Sequence, residues 1–517
     1  MRVSRLTWPT LLTASVVALM AARSDLRAAD VVQPEAEDAD DSATSEDAPG
    51  LDTPEEEPAY SPSPFGPRYH LERIDVRGNH KTETPLILGE IGLVVGDDLA
   101  ASDPRVEAAR IRLLSLGYFL DARLALERGE QRGGAVLVVD VEERGTVILN
   151  ALHLGSSAAT PFWGGVDLAE NNFLGRGISL GGGFVASTHQ NVAAARPSGG
   201  LRLRTLVPPL GNTGFMLTGT ALASAGSEFF RAPGVRDSER SDSPRNFVAA
   251  RIRRVGGVVG VGRGLTQSTR VFIDFREEGI STTLPPLNLV TPPPGAPPIA
   301  INYDLLPSYS RVGTLTATLE YDTRSDPLVP RAGTHVVFSS EVGAQQLGSS
   351  YEFVKLLLQS STYKPVWRRH IVGVHVFGGA IFGQAPIFDR FFVGDLDLFL
   401  PPRALGLNFS TEAARNPLRT AIAEHRFDDF AGRFLVEYSI PLWRRHKMVY
   451  SGDVFAAVGA YGMASRSSSR NSEQGSGDRN GFRSLPISVT GDLGLRLDTY
   501  IGVFTLSIGN AVGRMPF

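Results

Sequence analysis

The sequence predicts a small α/β domain followed by a transmembrane antiparallel β-barrel. Three observations support this fold class: fifteen strand-like runs follow Thr146, apolar and polar residues alternate within them, and the connections between them are long and short in turn. A strand that crosses a membrane in a barrel has about ten residues, with an apolar side toward lipid and a polar side toward the lumen.

The first 28 residues have the pattern of a secretory signal peptide. Arg2 and Arg5 form a basic start, an apolar stretch runs from Leu11 to Ala22, and a cleavage position follows Ala28. The apolar stretch is too short to span a bilayer as a helix. Residues 1–28 are therefore predicted to direct export, with a short membrane anchor as the alternative.

Residues 29–67 form an acidic, proline-rich segment. They contain 12 Asp and Glu, seven Pro and no Lys or Arg. Such a segment buries too little apolar surface to become ordered, so a disordered linker is predicted. The formal net charge of −4 is therefore a sum over a basic signal, an acidic linker and a weakly basic remainder.

Residues 68–145 are predicted to form one compact α/β domain in the order β-α-α-β-β. The predicted elements are a strand at 71–76, a helix at 83–91, a helix that begins at Asp103-Pro104, and strands at 119–127 and 135–142. Ser102 or Asp103 is a suitable N-cap, and Pro104 is a suitable residue for the first helical turn.

Residues 146–517 are predicted to form the barrel. In the run from Thr314 to Asp322, Leu, Ala and Tyr occupy one face and Thr, Glu and Asp the other, and the run from Gly432 to Trp443 repeats this pattern. The long connections are predicted at 188–197, 229–245, 281–310, 384–431 and 461–486. Short turns on one side and long loops on the other are typical of outer-membrane barrels.

The composition excludes several kinds of chemistry. The chain has no Cys, so a disulfide framework, a thiolate metal site and a thiol nucleophile are all excluded. Gly177 to Gly181 matches G-x-S-x-G, but that nucleophile needs a strand-to-helix turn, and here the motif opens a strand. The His residues lack zinc-type spacing, and the basic residues are scattered. We therefore predict no enzyme activity, no catalytic residue, no cofactor, no metal and no nucleic-acid partner.

Several segments, in their shared order, carry a family resemblance. They are Ile74 to Asn79, Gly117 to Phe119, Asn171 to Gly177, Glu320 to Arg324 and Arg390 to Gly394. Together they resemble the BamA/TamA-type outer-membrane proteins, a superfamily that includes bacterial surface antigens. The resemblance covers about residues 71–512. It implies that 68–145 is a single POTRA domain, in the periplasm with the linker, and that 146–517 lies in the bacterial outer membrane.

The resemblance also implies a lock between a long loop and the lumen. The family's loop motif is Val/Ile-Arg-Gly-Phe/Tyr, and this chain has Pro402-Arg403-Ala404-Leu405 in its place. Arg403 matches the family's arginine, and Glu437 and Asp453 match its acidic partners on the two following strands. A guanidinium offers a fork of donors to carboxylates, so such a pairing would hold the loop inside the barrel.

The function implied by the resemblance is the insertion of β-barrel proteins into the outer membrane, or the passage of polypeptides across it. POTRA domains add client segments to an exposed strand edge, and the barrel seam between the first and last strands opens laterally. The candidate client edges are 119–127 or 135–142, represented by Val136, Val138 and Asp140, together with Val147 and Leu149 at the seam. The expected partners are outer-membrane lipid, unfolded client polypeptides and periplasmic accessory proteins.

Two alternatives and one inconsistency remain at this stage. The alternatives are a two-partner-secretion-type transporter and a passive pore. The inconsistency is that the family has sixteen strands, whereas fifteen are recognisable here. Two strands merged within 246–280, a parallel seam, or an absent last strand would each explain the count.

Overall fold

A computed structural model describes most of the chain after the acidic segment. The described residues are 67–157, 159–209, 214–231, 244, 247–266, 268–285, 303–396, 403–409, 427–444, 449–464 and 487–512. The predicted signal peptide, almost all of the predicted linker, and Phe517 lie outside them. Within the described part of the chain, no helix is both long enough and apolar enough to cross a membrane.

Residues 68–143 form a four-stranded sheet with two helices. The elements are β1 (Arg68–Arg77), α1 (Thr84–Ile91), β2 (Asp98–Ala100), α2 (Pro104–Ser115), β3 (Phe119–Arg128) and β4 (Gly134–Glu143). The sheet order is β2-β1-β4-β3, and the β1–β4 pair is parallel. The sequence did not predict β2, because three residues are too few to show an alternation.

The two helices pack on the sheet through a continuous apolar core. Ile87 and Ile91 of α1, Leu113 of α2 and Leu71 and Leu137 of the sheet are all fully buried. The Asp103 side chain caps α2 by accepting a hydrogen bond from the Arg105 N–H at 2.9 Å. Such a cap satisfies one of the free donors at the helix start, so the helix begins where the sequence predicts.

The order of the strands corrects one predicted client edge. Val136, Val138 and Asp140 lie in β4, which pairs with β1 on one side and with β3 on the other. A strand with both edges paired has no free backbone groups to offer an incoming chain, so this prediction is wrong for β4. The open edges of this sheet are β2 and β3, and β3 corresponds to the other predicted edge, 119–127.

Fifteen further strands form one antiparallel sheet in which every strand pairs with its neighbours in chain order. They are β5 (Val147–Gly155), β6 (Trp163–Phe173), β7 (Ile178–Ser187), β8 (Gly199–Val207), β9 (Phe215–Arg231), β10 (Phe247–Gly264), β11 (Thr269–Thr283), β12 (Ser308–Asp322), β13 (Gly333–Gly343), β14 (Phe353–Pro365), β15 (Ile371–Gly383), β18 (Phe430–Arg444), β19 (Val449–Ala464), β20 (Ile487–Thr499) and β21 (Gly502–Val512). Two short strands, β16 (Phe391–Phe392) and β17 (Phe427–Asp428), pair with each other inside one loop. The sheet curls into a nearly closed barrel, which confirms the predicted fold class in its coarse form.

Alternate residues of the barrel strands have opposite environments. In β18, Phe434, Val436 and Tyr438 are exposed, whereas Leu435 and Glu437 between them are buried. A period of two places the first set on the outer face and the second set toward the lumen. The outer face is therefore apolar, as a lipid-facing surface requires.

The two ends of the barrel differ in their connections. The end that we call the domain end carries short turns, such as 174–177, 323–332 and 500–501, and these turns contact the α/β domain. The other end, the loop end, carries the long connections, including 384–429 between β15 and β18. The predicted alternation of short and long connections is confirmed.

The barrel closes at a parallel seam between its first and last described strands. With fifteen antiparallel strands in sequence, β5 and β21 both run from the domain end toward the loop end. The Leu149 N–H donates to the Ile501 carbonyl at 2.8 Å, and no ladder joins β5 to β21 within the described residues. The described residues of the stretch 246–280 form two strands, β10 and β11, so merged strands there do not explain the count.

Candidate functional site: the barrel seam and the lumenal loop

The connection 384–429 is called the lumenal loop here, and two of its described segments, 384–396 and 403–409, pack against the inner side of the barrel wall. Its first segment is buried through Ile387, Phe388, Phe391, Phe392 and Leu396. The strand residues around it include Ile280, Val312, Phe353 and Ile381. This apolar cluster holds the first segment against the wall formed by β11, β12, β14 and β15.

The second segment, 403–409, contacts a different part of the wall, from β6 to β9. The Phe409 ring stacks on Trp163 of β6 at 5.6 Å between centroids, and Asn408 donates to the buried Glu228 of β9 at 2.9 Å. Leu407 packs so closely on Gly226 that a Cβ there would lie 2.6 Å from the Leu407 Cδ2 atom. The two described segments of the lumenal loop therefore contact the wall from β6 to β15.

A charged cluster ties the first segment to the wall. The Arg276 guanidinium of β11 contacts Glu278 at 2.7 Å, Glu341 at 3.2 Å and Asp389 of the loop at 3.1 Å. Lys355 donates to the Asp389 carbonyl at 2.8 Å. Hydrogen bonds that involve a charged group are shorter and stronger than those between neutral groups, so these contacts fix the position of the loop backbone.

Two further arginines complete this attachment. Arg254 of β10 binds Glu278 at 2.8 Å, and its guanidinium lies 4.2 Å from the centre of the Phe388 ring. Arg390 of the loop binds Asp304 at 3.0 Å. Of these residues only Arg390, the first residue of a family segment, stands out in the sequence, because the loop and wall partners lie far apart along the chain.

The predicted lock residues do not meet one another. Arg403 binds Asp395 within the same loop and donates to the Phe388 carbonyl at 2.9 Å. Glu437 instead accepts two hydrogen bonds from Arg496, at 2.9 and 2.8 Å. Asp453 is buried on β19 and contributes negative charge near Arg496. The pairing of Arg403 with Glu437 is therefore corrected.

The position of the loop along β18 explains this correction. The loop meets β18 at Arg433, which donates to the Leu396 carbonyl at 3.3 Å. Glu437 lies four residues further toward the domain end, about 13 Å away at the rise of a strand. The loop arginine is therefore paired locally, while Glu437 is held by Arg496 of β20, two strands away.

Two other predicted features have a definite place in the structure. Ser179 of the G-x-S-x-G match lies in β7, and its hydroxyl donates to the Asn171 side chain at 3.0 Å. The next element is β8, so the strand-to-helix turn of a nucleophile is absent from this described stretch. Glu320, Asp322 and His335 lie together near the domain end, but Arg324 already binds Asp322 at 2.7 Å, so we interpret this group as an ion-pair cluster.

The α/β domain is bonded to the turn between β6 and β7. The Glu83 carboxylate binds Arg176 at 2.9 Å, and the Glu83 N–H donates to the Gly175 carbonyl at 2.9 Å. Asn172 donates to the Thr82 hydroxyl at 2.9 Å. Burial raises the pKa of Tyr118 to about 12, so its hydroxyl stays protonated where it faces the Gly177 carbonyl.

One carboxylate of the domain holds the segment that makes these contacts. Glu143 accepts hydrogen bonds from the N–H groups of His80, Lys81 and Thr82, the shortest at 2.7 Å. Burial alone would raise the pKa of Glu143, but these donors hold it below its ordinary value. The charged form of Glu143 therefore stabilises the segment that docks on the barrel.

At the seam, the predicted residues Val147 and Leu149 both lie on β5. One edge of β5 pairs with β6, and the other faces β21. Val147 is exposed, and so are Leu152 and Leu154 further along the strand. The seam therefore combines an apolar outer face with a strand edge that lacks a ladder within the described residues.

Comparison with known proteins is consistent with this architecture. The model of the Omp85 superfamily domain matches residues 172–515. A curated relative, the outer membrane protein assembly factor BamA of Nitratidesulfovibrio vulgaris, is 23% identical over 339 residues, which are 64% of this chain and 37% of the relative. The chain thus spans little more than a third of that relative.

Two solved structures align over most of this chain at low identity. CdiB from Escherichia coli aligns with a TM-score of 0.53 and 11% identity, over 86% of this chain and 73% of that one. BamA from Haemophilus ducreyi lacking POTRA domains 1–3 aligns with a TM-score of 0.46 and 14% identity, over 86% and 82%. Because the family model covers well over half of the sequence, this outer-membrane β-barrel chain belongs to the Omp85 superfamily.

Proposed function

We propose that the protein assists the insertion of β-barrel proteins into the bacterial outer membrane by adding client strands at its seam. The observation that carries the proposal is the parallel contact between β5 and β21, with its single described backbone bond from Leu149 to Ile501. In lipid an unpaired backbone group costs several kcal/mol, so a strand edge without a ladder favours an incoming strand.

The direction of the two edges supports strand addition. Since β5 and β21 run the same way, one client strand that is antiparallel to β5 is antiparallel to β21 as well. Such a strand can form a ladder on each side, and antiparallel pairing is the arrangement used in membrane barrels. A single client strand would thus satisfy both seam edges at once.

The small domain has a matching role in this proposal. We infer that residues 68–145 are a single periplasmic POTRA domain, with β3 as the edge that receives unfolded client segments. The free edge of β3 offers unpaired backbone groups to an extended chain, which is the basis of β-augmentation. Periplasmic accessory proteins would then deliver clients to this domain.

The seam can be tested with a reversible covalent lock. The chain has no Cys, so Leu149→Cys with Ile501→Cys introduces one defined disulfide across the seam. The control pair, Thr318→Cys with Ser339→Cys, links β12 to β13, which are already paired. Both variants are reconstituted in liposomes with an unfolded client barrel, and insertion is measured by protease protection and heat-modifiable migration.

The expected result is that oxidation of the seam pair stops insertion and reduction restores it, while oxidation of the control pair has no effect. Unchanged insertion by the oxidised seam variant would refute the proposal. Two-partner-type secretion would appear instead as a polypeptide that crosses the membrane with the seam locked. A passive pore would appear as a large, stable conductance without any client.

A further inference from the structure

The short link between the α/β domain and the barrel, Arg144 to Thr146, is built into the domain end of the seam. The Arg144 side chain is only 2% exposed and binds Asp498 of β20 at 2.7 Å, and that carboxylate is 8% exposed. The same guanidinium lies 3.6 Å from Asp326 in the β12–β13 turn. It also lies 5.3 Å from the centre of the Tyr450 ring of β19.

The backbone of the link is fixed from both sides. The Arg144 N–H donates to the Tyr118 carbonyl of the domain at 2.9 Å, and the Gly145 N–H donates to the Tyr450 hydroxyl at 3.3 Å. Gly145 also lies directly against the Tyr500 carbonyl, so no side chain fits at this position. The link therefore joins the domain to the last strands of the barrel as well as to β5.

These contacts surround the only described backbone bond of the seam. Asp498 lies three residues before Ile501, and Arg144 lies five residues before Leu149. A buried arginine that loses its carboxylate leaves an uncompensated charge, which is strongly unfavourable. Separating β5 from β21 at the domain end would pull Arg144 away from Asp498, whereas separating them at the loop end would not.

We infer that Arg144 is a positioning residue that keeps the domain end of the seam shut, so that the seam opens as a hinge from its loop end. The inference rests on the proposed lateral opening and specifies where that opening starts. Tyr118, Asp326, Tyr450 and Asp498 make up the described surroundings that hold Arg144 in place.

Two cysteine pairs report on the two ends of the seam in a chain that otherwise has no Cys. Leu149→Cys with Ile501→Cys reports on the domain end, and Leu154→Cys with Leu506→Cys reports on the loop end. Arg144→Met is introduced into each pair. The matched control is Arg176→Met, which removes the exposed ion pair with Glu83 between the same domain and the same barrel.

The rate of disulfide formation is measured on the full chain in proteoliposomes without any client. Arg144→Met is expected to lower the rate at the domain-end pair about tenfold or more, as loss of a buried partner implies, with little change at the loop-end pair. Arg176→Met is expected to leave both rates unchanged. An Arg144→Met rate within twofold of the parent, or an equal fall with Arg176→Met, would overturn the inference.

A second variant guards against a folding defect. If Arg144→Met loses heat-modifiable migration, Asp498→Asn, which keeps the shape of the partner, is tested in the same two pairs. A slower domain-end reaction in folded Asp498→Asn supports the inference, while an unfolded Asp498→Asn protein shows a purely structural role and overturns it. Because no client is present, failure of the insertion assay would leave this result unaffected.

Discussion

Loss of the Asp389 charge should release the first segment of the lumenal loop from the wall. Asp389→Asn keeps the shape of the side chain but removes one carboxylate from Arg276, which is 12% exposed against 9% for Asp389. Arg276, Arg254 and Lys355 are balanced by three carboxylates, and the substitution leaves this buried group with one excess positive charge.

The size of the effect follows from what remains around Arg276. Breaking a buried ion pair typically costs about 3–5 kcal/mol, but here Glu278 and Glu341 stay at 2.7 and 3.2 Å, which reduces the loss to about 2 kcal/mol. Since each 1.4 kcal/mol is a factor of ten, the population of the undocked loop should rise about 30-fold. Hydrogen–deuterium exchange over residues 385–396 measures this change directly.

The neighbouring residue on β11 provides the control. Glu277 binds Arg311 in a far more exposed pair, with side chains 33% and 52% exposed, and exposed pairs contribute about 0–1 kcal/mol. Glu277→Gln should therefore leave exchange in 385–396 unchanged. Exchange in Asp389→Asn within threefold of the parent, or an equal rise in Glu277→Gln, would show that the charged cluster does not hold the loop.

Three further outcomes are expected. The pKa of Glu143 is held below its ordinary value, so the stabilisation that its charge gives is complete above about pH 4.3 and is lost as the pH falls further. Protease cleavage near Thr82 should therefore rise below that pH. Glu143→Gln should abolish this pH dependence. Gly226→Val should displace Leu407, because even a Cβ at position 226 would lie 2.6 Å from the Leu407 side chain. Hydrogen–deuterium exchange should then increase over 403–409 and stay unchanged over 385–396. Asn172→Ala removes a buried hydrogen bond to Thr82 and should weaken the docking of the domain on the barrel by about 1–3 kcal/mol. Faster proteolysis between the domain and β6 measures this loss, and unchanged cleavage would contradict the prediction.

The barrel could be predicted from the sequence because contact with lipid requires an apolar residue at every second position of a strand. Every strand must place an apolar side chain outward at alternate positions, and this signal is repeated over fifteen strands. The same local signal is weaker in the small domain. The run from Ala135 to Val139 is buried without interruption, which is the pattern of a central strand covered on both faces. This continuous run is the signal in the sequence that contradicts the predicted client edge at 135–142.

The partners of the lumenal loop could not be predicted by spacing. Arg276 and Asp389 are 113 residues apart, and nothing local to either marks the other. The resemblance identified the right loop and one of its arginines, but the altered motif around Arg403 changed the pairing. Local contacts within 388–403 replace the bond across the lumen, and Arg496 takes the acidic residue that the family pattern assigns to the loop.

The lumen and the seam impose different requirements on any polypeptide that this barrel handles. A path through the lumen must break the Arg276 cluster and the stacked Trp163–Phe409 pair. A path along the seam must separate β5 from β21, which the described residues join by one backbone bond and the Arg144–Asp498 pair near the domain end. Because the seam would lose fewer contacts and could gain ladders on two edges, these contacts favour the proposed strand addition over a path through the lumen.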